Sequence, residues 1–255
     1  MTKLQDAFSD PKTLVAFTVA GDPNMQKSVD YVLSMVNAGA DVIELGIPFS
    51  DPTADGPVVQ AGGLRAFASG ITTTKVFEIV KMIRAQTDVP LVFLSYLNKL
   101  FDYGYQAFFE KCQELDVNGV VIPDLPYEER GEIADLAEGH GVSIIPLVAP
   151  TSGDRIQKIV KDSTGFVYLV SSLGITGVRD DNEMSHDLSA SVAEIKKYTD
   201  APVAVGFGIH TPEQVEKMNE IADGAIIGSG IVKLVENNPD NASAAIEEYV
   251  KAIKA

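Results

Sequence analysis

Two acidic positions carry the first chemical signal. Glu44 interrupts an otherwise apolar run, Val42, Ile43, Glu44, Leu45, Gly46. Burying a carboxylate as an anion without partners is costly, so such a site would raise its pKa toward neutrality. A carboxyl group held there can act as a general acid or base. An ordinary strand residue that meets solvent or a salt bridge would account for the same letter. Asp51 and Asp55 follow in PFSDPTADGPVVQ (48–60), a segment punctuated by Pro48, Pro52, Gly56 and Pro57. Proline restricts its own φ and the residue before it, so the segment is stiff enough to aim a carboxylate. DP and DG pairs also make plain turns, a reading that suits Asp51 better than Asp55. Carboxylates suit Mg²⁺, but neither a histidine nor a further carboxylate cluster accompanies these two.

Glycine-rich turns carry the second signal. SSLGITGVRDDNEMSHD (171–187) places Gly174 and Gly177 around Thr176, a segment able to close over a ligand and exclude water. A surface excursion without function would look the same. GFGIHT (206–211) and GSGIVK (228–233) put Gly208, Gly228 and Ser229 at strand ends, just before short helices. Backbone N–H groups at such helix starts converge on anions. Gly177, Gly208, Gly228 and Ser229 are therefore candidates for a phosphate cradle. His140, His186 and His210 show no HxH or HExxH spacing, so metal ligation is not expected. Only His210 falls near the expected ligand. Cys112, with Phe108, Phe109 and Leu115, reads as the packed side of a helix.

These residues need a scaffold, and the chain alternates short apolar runs with longer amphipathic stretches. The runs are TLVAFTV (13–19), DVIELGI (41–47), PLVFLSY (90–96), GVVIP (119–123), VSIIPLV (142–148), GFVYLVS (165–171), PVAVGF (202–207) and DGAIIGS (223–229). Nearly continuous Val/Ile-rich runs are the pattern of buried parallel strands. Helices are expected between them, for example over 27–40 and over 213–224. In the second, Thr211 is the N-cap and Pro212 opens the first turn. Gly39, Gly139 and Gly224 suit the residue just past a helix end. Eight strands alternating with helices fit a closed (β/α)₈ TIM barrel over residues 1–255, as one domain. The rival doubly wound sheet lacks its fingerprint, because AGDP (20–23) stands where G-x-G-x-x-G is required. Residues 2–9 read as an extra N-terminal helix. The longest repeats follow the second and sixth strands, which predicts long βα loops 2 and 6 on the catalytic face.

Composition excludes several partners. The 255 residues carry 36 acidic and 20 basic side chains, a formal charge of −16. Nucleic-acid binding and an electrostatic grip on anionic membranes are both disfavoured. An apolar share of 45% supports a large core. A single cysteine rules out an internal disulfide framework. Neither a signal-peptide h-region nor a membrane-length apolar run is present, which points to a cytoplasmic protein.

With these motifs in place, VIELGIPFSDPTADGPVVQ (42–60) closely resembles the signature of the tryptophan synthase α subunit family. The likeness continues through AFTVAGDP (16–23), VVIPDLP (120–126), GFVYLVSSLGITG (165–177), VGFGIHTPEQV (205–215) and GSGIVKLVE (228–236). It implies a (β/α)₈ barrel lyase of tryptophan biosynthesis, cleaving indole-3-glycerol phosphate to indole and glyceraldehyde 3-phosphate without a cofactor. It implies catalytic roles for Glu44, Asp55 and Tyr168, with Thr176 supporting loop closure. Phe17, Tyr96 and Phe207 would surround the indole, and Gly177, Gly208, Gly228 and Ser229 would hold the phosphate. It also implies a pyridoxal-phosphate-dependent β subunit in an α2β2 heterotetramer, with Pro48, Asp51 and the Asn98 region near that partner. A stand-alone lyase releasing free indole, or a catalytically weak activating subunit, are the alternatives. Thr53 departs from the family's usual Leu, and SYLNKLFDYG (95–104) departs from its commoner pattern.

Overall fold

The structure, a computed structural model, describes residues 2–9, 12–171, 181–206 and 208–255. Its strands are β1 (Thr13–Val19), β2 (Val42–Gly46), β3 (Leu91–Leu94), β4 (Gly119–Val121), β5 (Ser143–Ile145), β6 (Leu147–Val148), β7 (Val167–Val170), β8 (Val203–Gly206) and β9 (Gly224–Ile227). Every pairing is parallel, in the order β5-β4-β3-β2-β1-β9-β8-β7-β6. The two ends of this order are halves of one stave, because β5 and β6 are separated only by Pro146. Proline has no N–H to donate and so interrupts the ladder there. Its carbonyl still accepts from the Tyr168 N–H at 2.9 Å, which draws β7 against that stave. The sheet is therefore a barrel of eight staves, as the alternating pattern predicts, with β7 as the sixth stave.

The apolar runs are buried on both faces, all seven residues of β1 among them. One face meets the surrounding helices and the other fills the barrel interior. Val15, Val42, Val92, Val121 and Ile226 pack inside. Helix α1 (Lys3–Ala7) plugs the N-terminal mouth. Thr2 and Gln5 form its capping box, and the fully buried Leu4 enters the barrel. Gly119 and Gly165 make room for it, since a Cβ at either would stand 3.1 or 3.2 Å from Leu4 Cδ1.

The outer elements are α2 (Met25–Asn37), α3 (Pro57–Ala68), α4 (Thr73–Arg84), α5 (Leu97–Tyr103), α6 (Tyr105–Glu114), α7 (Ala134–Gly139), α8 (Ile156–Val160), α9 (Asp181–Ile195), α10 (Pro212–Asn219), α11 (Ser229–Asn237) and α12 (Ala242–Lys254). Four expectations are corrected here. The surplus after β2 is mostly an added helix, α3, and leaves a loop of 47–56. Of the segment 171–187, the part from Asp181 onward belongs to helix α9 and is not loop, while 172–180 lie outside the described residues. Gly139 ends α7 itself, and Gly141, at φ 70°, makes the left-handed exit. Gly224 is the first residue of β9; a Cβ there would lie 2.7 Å from the Thr13 carbonyl, so it serves strand approach. Gly39 (φ 101°) does close α2, and Thr211 with Pro212 does open α10. Among the described residues, no helix is long and apolar enough to cross a membrane.

Candidate active site

Glu44 sits on β2 with its side chain directed into the barrel. In the parallel register it faces Phe17 of β1 on one side and Val92 of β3 on the other. Its relative exposure is 2%, and its Oε1 has no hydrogen-bond partner. Desolvation, reinforced by the nearby Asp55 charge, raises its pKa to about 8. That is the condition of a carboxyl group that holds a proton at neutral pH and can release it. Tyr168, on β7, shares this interior. Burial first, and the Glu44 charge second, push its phenol well above the usual tyrosine range. Gly206 on β8 admits the Tyr168 ring, since a Cβ there would stand 2.6 Å from its hydroxyl oxygen.

Asp55 approaches from the loop 47–56. Burial raises its pKa, and a hydrogen bond from Tyr96 partly counters the shift. The same Tyr96 hydroxyl accepts from the Ala54 N–H at 3.0 Å, and its ring stacks on Phe49 at 5.1 Å. Gln60 of α3 donates to the Asp55 carbonyl at 2.8 Å. Asp55 is thus held from both sides. A cleft of 190 Å³ opens here, lined by Phe17, Gly46, Pro48, Phe49, Asp55 and Tyr96 among others. Glu44 is not in its lining. It lies one strand position deeper, beneath Gly46 on the same face of β2.

Phe17 links the cleft to the neighbouring rim. A Cβ on Gly46 would lie 2.8 Å from the Phe17 ring, and one on Gly228 would lie 3.0 Å from it. Gly228 and Ser229 form the start of α11, with no side-chain cap on that N-terminus. Gly208 follows the adjacent β8 at φ 83°, and the His210 ring nitrogen lies 2.8 Å from its carbonyl oxygen. Thr176, Gly177 and Phe207 lie outside the described residues. Glu44, Asp55, Tyr168, Phe17 and Tyr96 are brought together at the C-terminal mouth. Gly208, Gly228 and Ser229 lie on the adjoining rim.

The remaining singletons are placed as follows. Asp51 and Thr53 are exposed loop residues, with Asp51 accepting from the Ser50 hydroxyl at 2.6 Å. Cys112 is fully buried, and burial pushes its thiol up, as for a packed residue. Among the described residues, no three His, Cys, Asp or Glu side chains gather to hold a metal ion. Sequence reasoning missed the pair Asp22 and Arg65, joined by two hydrogen bonds of 2.8 and 2.7 Å. No periodicity links positions 43 residues apart, and the burial of Asp22 emerges only in the fold.

Fold and site together define a (β/α)₈ barrel with a buried carboxyl group toward the C-terminal end of its strands, the end where such barrels carry their active sites. Residues 5–255 match the family model described as tryptophan synthase alpha chain. The chain is 56% identical over 254 residues to the tryptophan synthase alpha chain of Lacticaseibacillus casei, covering 100% of this chain and 95% of that one. It is 48% identical to that of Lactiplantibacillus plantarum, covering 100% and 96%. Among solved structures, tryptophan synthase subunit alpha from Campylobacter jejuni aligns at TM-score 0.85 and 35% identity, covering 95% and 97%. A chain of the tryptophan synthase α2β2 complex from Pyrococcus furiosus aligns at TM-score 0.87 and 33% identity, covering 96% and 98%. The chain belongs to the tryptophan synthase alpha chain family.

Proposed function

We infer that this chain cleaves indole-3-glycerol phosphate to indole and glyceraldehyde 3-phosphate, as the α subunit of a tryptophan synthase. The observation that carries the reading is Glu44, a buried carboxyl group with an unpartnered oxygen, beside Asp55. The reaction breaks the bond between indole C3 and the glycerol carbon that bears the adjacent hydroxyl. Indole C3 must gain a proton, and that hydroxyl must lose one as the aldehyde forms. Glu44, protonated near neutral pH, gives the first proton and as a carboxylate takes the second. Asp55 accepts the indole N–H and stabilises positive charge on the ring nitrogen while C3 is protonated. Tyr168 borders Glu44 inside the barrel. Tyr96 orients Asp55, and Phe17, Tyr96 and Phe207 border the indole.

The phosphate is assigned to the N–H groups of Gly177, Gly208, Gly228 and Ser229, with Thr176 supporting loop closure. An uncapped helix start can hold a phosphate in a chain of charge −16, because its dipole and N–H groups supply the positive end. The proposed partner is a pyridoxal-phosphate-dependent β subunit in an α2β2 assembly, to which indole passes directly. Asp51, Asn98 and Phe101, the last 69% exposed on α5, give that partner a polar and apolar surface. A cytoplasmic location accompanies this reading. The test is indole release from indole-3-glycerol phosphate, with and without a β subunit. Release stimulated roughly tenfold by the partner is expected for coupling free energies of the usual size. Equal release in both arms makes the chain a stand-alone lyase, and no release in either removes the reading.

A further inference from the structure

We propose that Asp22 and Arg65 form a positioning pair that holds the Asp55 loop over Glu44, by pinning helix α3 to the turn that follows β1. Asp22 is 1% exposed and lies three residues past the end of β1. Arg65 lies on α3, two turns beyond Pro57. Its Nε donates to Asp22 Oδ1 at 2.8 Å and its Nη2 to Oδ2 at 2.7 Å. This planar two-point contact fixes direction as well as distance, which a lysine cannot do. Three further contacts converge on the same junction. A Cβ on Gly62 of α3 would stand 3.0 Å from Asp22 Oδ2 and 3.0 Å from Val232 of α11, so the α3 backbone lies flush on both. The Ser69 hydroxyl donates to the Gly21 carbonyl at 3.2 Å. Arg65 Nη1 also lies 3.7 Å from Glu236 near the end of α11.

The consequence follows from chain connectivity. Asp55 is separated from Pro57, the first residue of α3, by Gly56 alone, and its carbonyl accepts from Gln60 of α3. Wherever α3 sits, the backbone of Asp55 sits with it. The turn that anchors Arg65 continues from β1, whose Phe17 is the register partner of Glu44. The pair therefore refers Asp55 to the strand frame that carries Glu44. A buried ion pair is weak evidence for stability, because desolvation offsets most of the attraction; fixing one geometry is the better attested use. A shift of about 1 Å in a group that contacts substrate is enough to lower turnover by roughly 10²-fold.

The inference rests on the reading of Glu44 and Asp55 given above, and the test separates the two. Arg65→Lys keeps the charge but loses the fork, and Asp22→Asn keeps one acceptor. Whichever of them melts cooperatively at the assay temperature is assayed for lyase kinetics and for amide exchange at Ala54, whose N–H donates to Tyr96. Positioning predicts a kcat lower by roughly tenfold or more, with KM within about threefold. In an Asp55→Asn background the same change should cost less than about twofold further, because residues acting as one unit are not additive. Exchange at Ala54 should quicken by roughly tenfold. Unchanged kcat with unchanged Ala54 exchange overturns the proposal. So does an equal loss in both backgrounds, the mark of a purely structural role. If the wild-type chain lacks lyase activity, the site reading fails, and the Ala54 exchange alone decides the pair.

Discussion

Replacing Glu44 by glutamine should stabilise the protein increasingly as the pH rises. Glu44 has a folded pKa of about 8 against an ordinary value of 4.5, because burial disfavours its anion. The folded state therefore keeps a proton that the unfolded chain releases above pH 4.5. Stability is fully present below the unfolded pKa and is lost as the pH climbs toward and through 8. Three and a half units correspond to an upper limit of about 5 kcal/mol, and the part lost between pH 5 and pH 8 is roughly 3 kcal/mol. Glutamine has no proton to lose and escapes this penalty. Thermal melts of both proteins should diverge over that range by about 6 °C, at roughly 2 °C per kcal/mol for a chain of this size. Differential scanning calorimetry at half-unit pH steps reads the difference directly. A constant gap between the two melting temperatures from pH 5 to pH 8 would refute the buried, protonated carboxyl on which the proposed chemistry depends.

Other perturbations act at separate points of the same framework. Tyr96→Phe removes the hydrogen bond that lowers the Asp55 pKa, so the acidic limb of a kcat/KM profile governed by Asp55 should move to higher pH; a limb that stays in place contradicts this contact. Gly206→Ala drives a methyl group against the Tyr168 ring, at a cost of about 1–3 kcal/mol, and chemical denaturation should show the loss together with lower turnover. Leu4→Ala empties the base of the barrel and should lower stability by about 2–5 kcal/mol. Because α1 lies at the end opposite Glu44, kcat measured at 25 °C in the folded variant should match the wild type.

Much of this architecture is legible in residue order, and the exceptions have physical causes. The eight apolar runs mark the staves because parallel strands covered on both faces need little polar alternation. Glu44 is visible for the same reason, as a charge in a run that otherwise tolerates none. Asp55 is visible through the prolines that stiffen its loop. The surplus after β2 is legible only as length. Pro57 at its first turn marks the start of α3, but the preceding DP and DG pairs give the whole stretch the look of a loop. Gly139 and Gly224 illustrate a different limit. A glycine letter states that a side chain is excluded without saying whether a helix exit or a strand approach excludes it. Asp22 and Arg65 show the largest gap, since their contact exists only once α3 is laid against β1. Tyr168 depends on the room left by Gly206 and on the Glu44 charge from a strand across the barrel, and Phe17 on Gly46 and on Gly228, which follows β9, a strand that meets β1 only on barrel closure.

The most direct test of the central claim is single-turnover cleavage of indole-3-glycerol phosphate by the wild type and by Glu44→Gln, with substrate binding measured on the same samples. General acid–base catalysis by one group is worth roughly 10²–10⁴-fold. A loss of at least that size in the rate of indole formation is expected, with substrate affinity within about threefold of wild type. Near wild-type cleavage by the glutamine variant would contradict it.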